Sequence, residues 1–236
     1  MTRRLALVAV LLLLATGCGG SHTDGEATLW VTRDRGAELL VDATVPAGLT
    51  AMQALRRKAD VETSYGGRFV NAVEGLKGDA GSKRDWFFFV NGIEADRGAA
   101  EYRLRPGDVL WWDYRSWSGD DMREPAVVGA FPQPFLSGYD GKKRRAVVRY
   151  ESKRLRGAAL GLGYLIGARS VEPLDVSAPA DANVLEIVEA PVVFAAELLT
   201  PDAPAGSPVR FRVSFDDAKR LLAHPDWAWH HYEGLK

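Results

Sequence analysis

Thr28-Leu29-Trp30-Val31-Thr32-Arg33, Asp34-Arg35-Gly36, Glu38-Leu39-Leu40-Val41-Asp42-Ala43 and Thr50-Ala51-Met52-Gln53 decide the fold of the first half of this chain. The two six-residue runs favour β structure, and the tripeptide between them ends in glycine, so together they predict a hairpin. Thr50 and Gln53 have capping-box spacing: the threonine oxygen accepts from the third helical N–H while the glutamine side chain reaches back, which starts a helix over 51–59. Arg68 to Val73, Trp86 to Val90 and Val109 to Tyr114 add three strands, separated by Glu74-Gly75, Asn91-Gly92 and Pro106-Gly107-Asp108. The order β-β-α-β-β-β predicts an α+β unit over 28–118, a β-grasp-like mixed sheet with one helix packed on one face.

Alternation along the last of these strands separates its two faces. Leu110, Trp112 and Tyr114 share one, and Val109, Trp111 and Asp113 share the other. Asp113 predicts that the second face is wet, which leaves Trp112 in the core and Trp111 on an open sheet face awaiting a ligand or a second domain. Five of the seven tryptophans lie between Trp30 and Trp117, more flat apolar surface than one sheet face needs.

Composition narrows the function classes. The chain has 236 residues, 47% hydrophobic and 26% charged, with 30 basic against 31 acidic side chains and a formal net charge of -1. Such a length holds two modest domains, each able to bury a core. The even charge balance provides no field for a phosphate backbone, which argues against a nucleic-acid partner. One cysteine forms no intrachain disulfide, and four histidines leave little for a Cys/His metal site.

The N-terminus predicts export. Arg3 and Arg4 precede Leu5 to Leu14, an apolar run shorter than the roughly 20 residues that span a bilayer, so residues 1–17 read as a signal peptide. Ala15-Thr16-Gly17-Cys18 resembles a bacterial lipobox. That resemblance implies cleavage before Cys18, lipidation of its thiol and an extracytoplasmic, membrane-anchored protein. Residues 18–27 then form a flexible tether rich in small and polar side chains.

Val45 to Leu55, Tyr65 to Leu76, Trp86 to Gly92 and Gly98 to Trp117 together resemble the C-terminal domain of the transcobalamin and intrinsic-factor proteins. The resemblance covers about 90 residues. It implies the β-grasp fold and a surface that faces a corrin ring, without the α-helical barrel that forms the opposite wall in the vitamin B12 carriers. By that resemblance the candidate ligand-binding residues are Tyr65, Trp86, Asn91, Trp111 and Trp117. The tryptophans and Tyr65 would supply apolar area, and the loop opened by Asn91 would supply backbone hydrogen bonds. Trp86 also fits a strand core, and Tyr65 also fits simple turn packing.

The second half is less informative. Prolines 125, 132 and 134 open a new unit over 122–236, read as a second small α/β domain. Ala146 to Tyr150, Val184 to Val188 and Val209 to Phe215 read as strands, with helices at 155–168 and 216–223. Gly161-Leu162-Gly163-Tyr164-Leu165-Ile166-Gly167 has the wrong glycine spacing for a dinucleotide site. Lys142 to Arg145 reads as a solvated turn, though it could meet anionic lipid headgroups. His224 to His231 suggests a metal or axial cobalt ligand less well than a frayed aromatic tail. No nucleophile and base are recognisable as a set, so the expectation is a non-enzymatic ligand-binding protein without a cofactor. Its ligand would be cobalamin, a related corrinoid or another large planar molecule, handed on to a transporter. The alternative is a surface interaction or scaffold module.

Overall fold

A computed structural model describes residues 24–119 and 122–234. The signal peptide, Cys18 and most of the tether lie outside the described residues. In the first half, β1 (Glu26–Arg33), β2 (Glu38–Pro46), β6 (Arg84–Val90), β7 (Ile93–Glu94) and β8 (Val109–Ser116) form one sheet in the order β2-β1-β8-β6-β7. The hairpin pairs antiparallel, but β1 and β8 run parallel, so the last strand enters the middle of the sheet. The capping box is present as expected. The Thr50 hydroxyl oxygen accepts from the Gln53 backbone N–H at 3.1 Å, and the Gln53 side-chain oxygen Oε1 accepts from the Thr50 backbone N–H at 2.9 Å. It opens α1 (Ala51–Lys58), whose Ala51, Met52, Ala54 and Leu55 pack against Leu29, Val31, Leu110 and Trp112. An added strand, β3 (Val61–Ser64), pairs with β4 (Phe69–Val73), which pairs with β5 (Leu76–Lys77) in a separate small antiparallel sheet.

The second half contains α2 (Gln133–Leu136), β9 (Ala146–Tyr150), α3 (Arg156–Leu165), β10 (Ser170–Pro173), β11 (Asn183–Val188), β12 (Ala195–Leu198), β13 (Val209–Ser214) and α4 (Phe215–Ala223). Its strands lie in the order β10-β9-β11-β13-β12, parallel except for β12 at one edge. Gly161 and Gly163 are packing glycines on α3. A Cβ at Gly161 would stand 2.8 Å from Leu222 of α4, and one at Gly163 would stand 2.8 Å from Val171 of β10. The two halves share a core. A continuous cluster of buried side chains runs from Leu29 and Trp112 through Ile93, Phe131 and Phe135 to Leu185 and Phe211.

Candidate functional site

Alternation divides the main sheet as expected, but neither face is open. The face of Leu110, Trp112 and Tyr114 lies under α1 and the small sheet, and the face of Trp30, Phe89, Val109 and Trp111 lies under Val127, Ala130 and Tyr232. Trp111 is 0% exposed, so the expected open indole is corrected: the chain's own second half is the covering body. The C-terminal stretch is likewise no frayed tail. The Val128 N–H donates to the Tyr232 carbonyl (3.2 Å), the His230 N–H to the Gly129 carbonyl (3.2 Å) and the Gly234 N–H to the Phe194 carbonyl (2.7 Å). Gly129 permits this approach, since a Cβ there would lie 2.5 Å from the His231 carbonyl oxygen and 2.7 Å from the Trp111 ring.

Asp113 marks a buried polar network, not a wet face. The Trp111 indole N–H donates to the Thr32 hydroxyl (2.8 Å), which donates to Asp113 Oδ1 (2.6 Å). The backbone N–H groups of Arg35 (3.1 Å) and Gly36 (3.2 Å) also donate to the carboxylate. Asp34, Arg35 and Gly36 all have positive φ (55°, 59° and 85°), and this left-handed turn aims two successive amides at one anion. Burial pushes the Asp113 carboxyl above the usual carboxylate range, against the lowering effect of these donors. Burial, and then the Asp113 charge, pushes the Tyr232 phenol up, and its hydroxyl makes no well-aligned hydrogen bond.

Two further candidate residues are structural. Asn91 (φ 53°) and Gly92 (φ 77°) form the two-residue turn between β6 and β7, with the left-handed geometry such a turn demands. The Asn91 side-chain amide donates to Asp108 (2.7 Å) and to the Gly138 carbonyl (2.8 Å) and accepts from the Val109 N–H (2.8 Å), so it serves the chain's own packing. Trp86 is buried against Tyr114, with ring centroids 5.2 Å apart, and donates its indole N–H to the Leu76 carbonyl at 2.9 Å. Asn91, Trp86 and Trp111 are thus buried, with their side chains engaged inside the chain and not on an open surface.

Tyr65 and Trp117 remain accessible. Trp117 is half-buried just past β8, with its backbone N–H on the Lys83 carbonyl at 2.9 Å. Tyr65 is 83% exposed and meets Phe69, itself 48% exposed, edge to face at 6.3 Å. Tyr65, Gly66 and Gly67 follow one another with φ of 50°, 68° and 87°, a turn that lifts the tyrosine ring off the sheet. The Arg56 guanidinium backs this turn, donating to the Thr63 hydroxyl at 2.6 Å and lying beside Gly67. Sequence reading singled out Tyr65 but not Phe69, whose exposure follows from its place at the end of β4. Among the described residues no ring contact joins Trp117 to this pair, and no group of three or more His, Cys, Asp or Glu side chains is arranged to hold a metal.

Residues 48–116 match the model of the family described as Domain of unknown function (DUF4430). Haptocorrin in complex with Cbi is a similar solved structure, 15% identical, covering 40% of this chain and 26% of that one with a TM-score of 0.33. A crystal structure from Ruminococcus gnavus ATCC 29149, described as that of a candidate metal-binding protein, is 15% identical and covers 40% of this chain and 100% of that one, with a TM-score of 0.31. A search of curated proteins finds no significant match.

Proposed function

We propose that this chain is a non-enzymatic, lipid-anchored ligand-binding protein of the cell envelope that holds a flat apolar ligand, of corrinoid type, against Tyr65 and Phe69. The observation that carries the reading is the exposed aromatic pair. A non-glycine residue in the left-handed region costs about 1–2 kcal/mol, and Tyr65 occupies it at φ 50° while its ring stays 83% in solvent. Arg56 backs the turn and Phe69 meets the ring from one side, so a molecule from outside would cover the surface that this turn leaves in solvent. The corrinoid class comes from the resemblance of the surrounding residues to the B12 carriers, and the anchor and hand-over to a transporter come from the lipobox-like run at Cys18. The closed sheet face favours a second reading, in which the same pair docks a protein partner, because two rings offer less area than a corrin would cover.

Titrating the purified chain with cyanocobalamin and cobinamide, while following tryptophan emission and the corrin bands, tests the proposal. A platform open on one side encloses less than the 70–90% or so of a ligand that pockets bury, so a micromolar dissociation constant of about -8 kcal/mol is expected. Tyr65→Ala and Phe69→Ala should each weaken it at least about tenfold without lowering Tm. Absence of saturable quenching by either compound overturns the corrinoid reading, and binding that survives both substitutions overturns the assignment of the site.

A further inference from the structure

The aromatic sheet face that the second half covers is not covered to its margin. On the β2 side the pairs Thr28 with Thr44 and Trp30 with Asp42 extend past the closing segment, and a cavity of about 240 Å³ opens there. The buried Trp30 and Phe131 and the partly exposed Trp229 line it. The Trp30 and Trp229 rings meet at 5.3 Å and 44°, and Trp229 is fixed by its indole N–H on the Phe131 carbonyl at 2.9 Å. Among the described residues Asp42 is the only ionisable side chain lining the cavity. Among the described residues it has neither an ion pair nor a hydrogen bond to its carboxylate, although Arg33, Arg35 and Arg84 on neighbouring strands and turns each have acidic partners.

We propose that this cavity is a binding site for a small organic cation, an alkylammonium or quaternary ammonium group, seated against the exposed Trp229 ring with Asp42 as its counter-charge. Aromatic faces are negative, and an exposed indole beside a carboxylate makes a site of single sign that attracts cations and leaves anions outside. A single carboxylate beside an aromatic ring suits an organic cation better than calcium, which takes six to eight oxygen ligands. The volume lies below the roughly 300–1,000 Å³ of pockets for larger molecules, so it fits a headgroup and not a corrinoid. His230 packs against Trp30, with centroids 4.3 Å apart; burial lowers the pKa of its imidazole, against the raising effect of the nearby Asp42 charge. The site shares no residue with the Tyr65 platform, and the two readings stand or fall separately.

Calorimetric titration of the full chain with choline chloride at low salt, with 3,3-dimethylbutan-1-ol as the neutral isostere, tests the assignment. Choline should bind saturably in the millimolar range and the isostere at least about fivefold more weakly. Asp42→Asn, a change at an exposed side chain, should weaken choline about tenfold, or 1.4 kcal/mol, and remove the preference over the isostere. Trp229→Leu should weaken both, with Tm recorded to show that the seam stays closed, and Tyr65→Ala should change neither. Sedimentation with phosphatidylcholine vesicles, competed by free choline, distinguishes a lipid headgroup from a free small molecule as the source of the cation. Equal affinity for choline and its isostere, an unchanged Asp42→Asn variant, or no saturable heat up to about 100 mM choline, weaker than any useful site, would overturn the proposal.

Discussion

Truncating Trp111 is the sharpest probe of the architecture, because an open face and a closed one give opposite results. The ring is 0% exposed and touches Trp30 at 6.5 Å, Phe89 at 5.5 Å and Tyr232 at 5.4 Å, with Gly129 against its edge. Replacing a buried tryptophan by alanine costs about 3–5 kcal/mol through lost burial and the cavity left behind. The indole N–H bond to Thr32 contributes about 1 kcal/mol of that. Thr32 keeps its own partner in Asp113, so no buried donor is orphaned and the middle of the range applies. At about 4 kcal/mol, and about 2–4 °C per kcal/mol for a chain of this size, Tm should fall by about 8–16 °C. Thermal unfolding followed by circular dichroism measures this directly. Trp112→Ala, on the opposite face, should cost a similar amount, and Trp111→Phe should lose only about 1–2 kcal/mol because the ring packing survives. A loss below about 1 kcal/mol for Trp111→Ala beside a full loss for Trp112→Ala would refute the closed face.

Acid should loosen the C-terminal segment. Burial lowers the His230 and His231 pKa values, so their contribution to stability is present above the unfolded value near 6.5 and is lost as pH falls through the folded values. His230→Asn, which tolerates the positive φ at that position, should therefore flatten the decline of Tm between about pH 7.5 and 5. A decline identical to that of the unmodified chain would remove His230 from the account. If Cys18 carries lipid, detergent-phase partitioning of the expressed protein should disappear in Cys18→Ser; partitioning that persists would exclude the anchor.

Local signals were the legible ones. The capping box at Thr50, the Asn91-Gly92 turn and the alternation of Leu110, Trp112 and Tyr114 depend on neighbours within a few residues, and each appears in the structure at its expected place. Ala146 to Tyr150 was readable for the same reason: a run of β-branched and aromatic side chains between turn residues. Strands β3, β10 and β12 were not. Each has four residues, carries no strict alternation and exists because a longer neighbour supplies its hydrogen bonds. Pairing of this kind is set by the neighbouring strand, and the short segment's own propensity says little about it.

The misreading of Asp113 has a different cause. A lone acid on an alternating strand ordinarily marks the solvent face, because burying a carboxylate is costly unless donors surround it. Here the donors come from Thr32, Arg35 and Gly36, 77 to 81 residues away in sequence, and the lid comes from Tyr232. The left-handed Asp34-Arg35-Gly36 turn was legible as a turn, but its second role, presenting two amides to one carboxylate, exists only once β1 and β8 lie parallel side by side. That pairing also limits where ligands can sit. It brings Trp30 beside Trp111, the second half closes over both, and the aromatic surface left to solvent includes the Tyr65 turn on one element and Trp229 at the Asp42 margin on another. An aromatic-rich sequence announces that planar surface exists, but the long-range closure decides how little of it a ligand can reach.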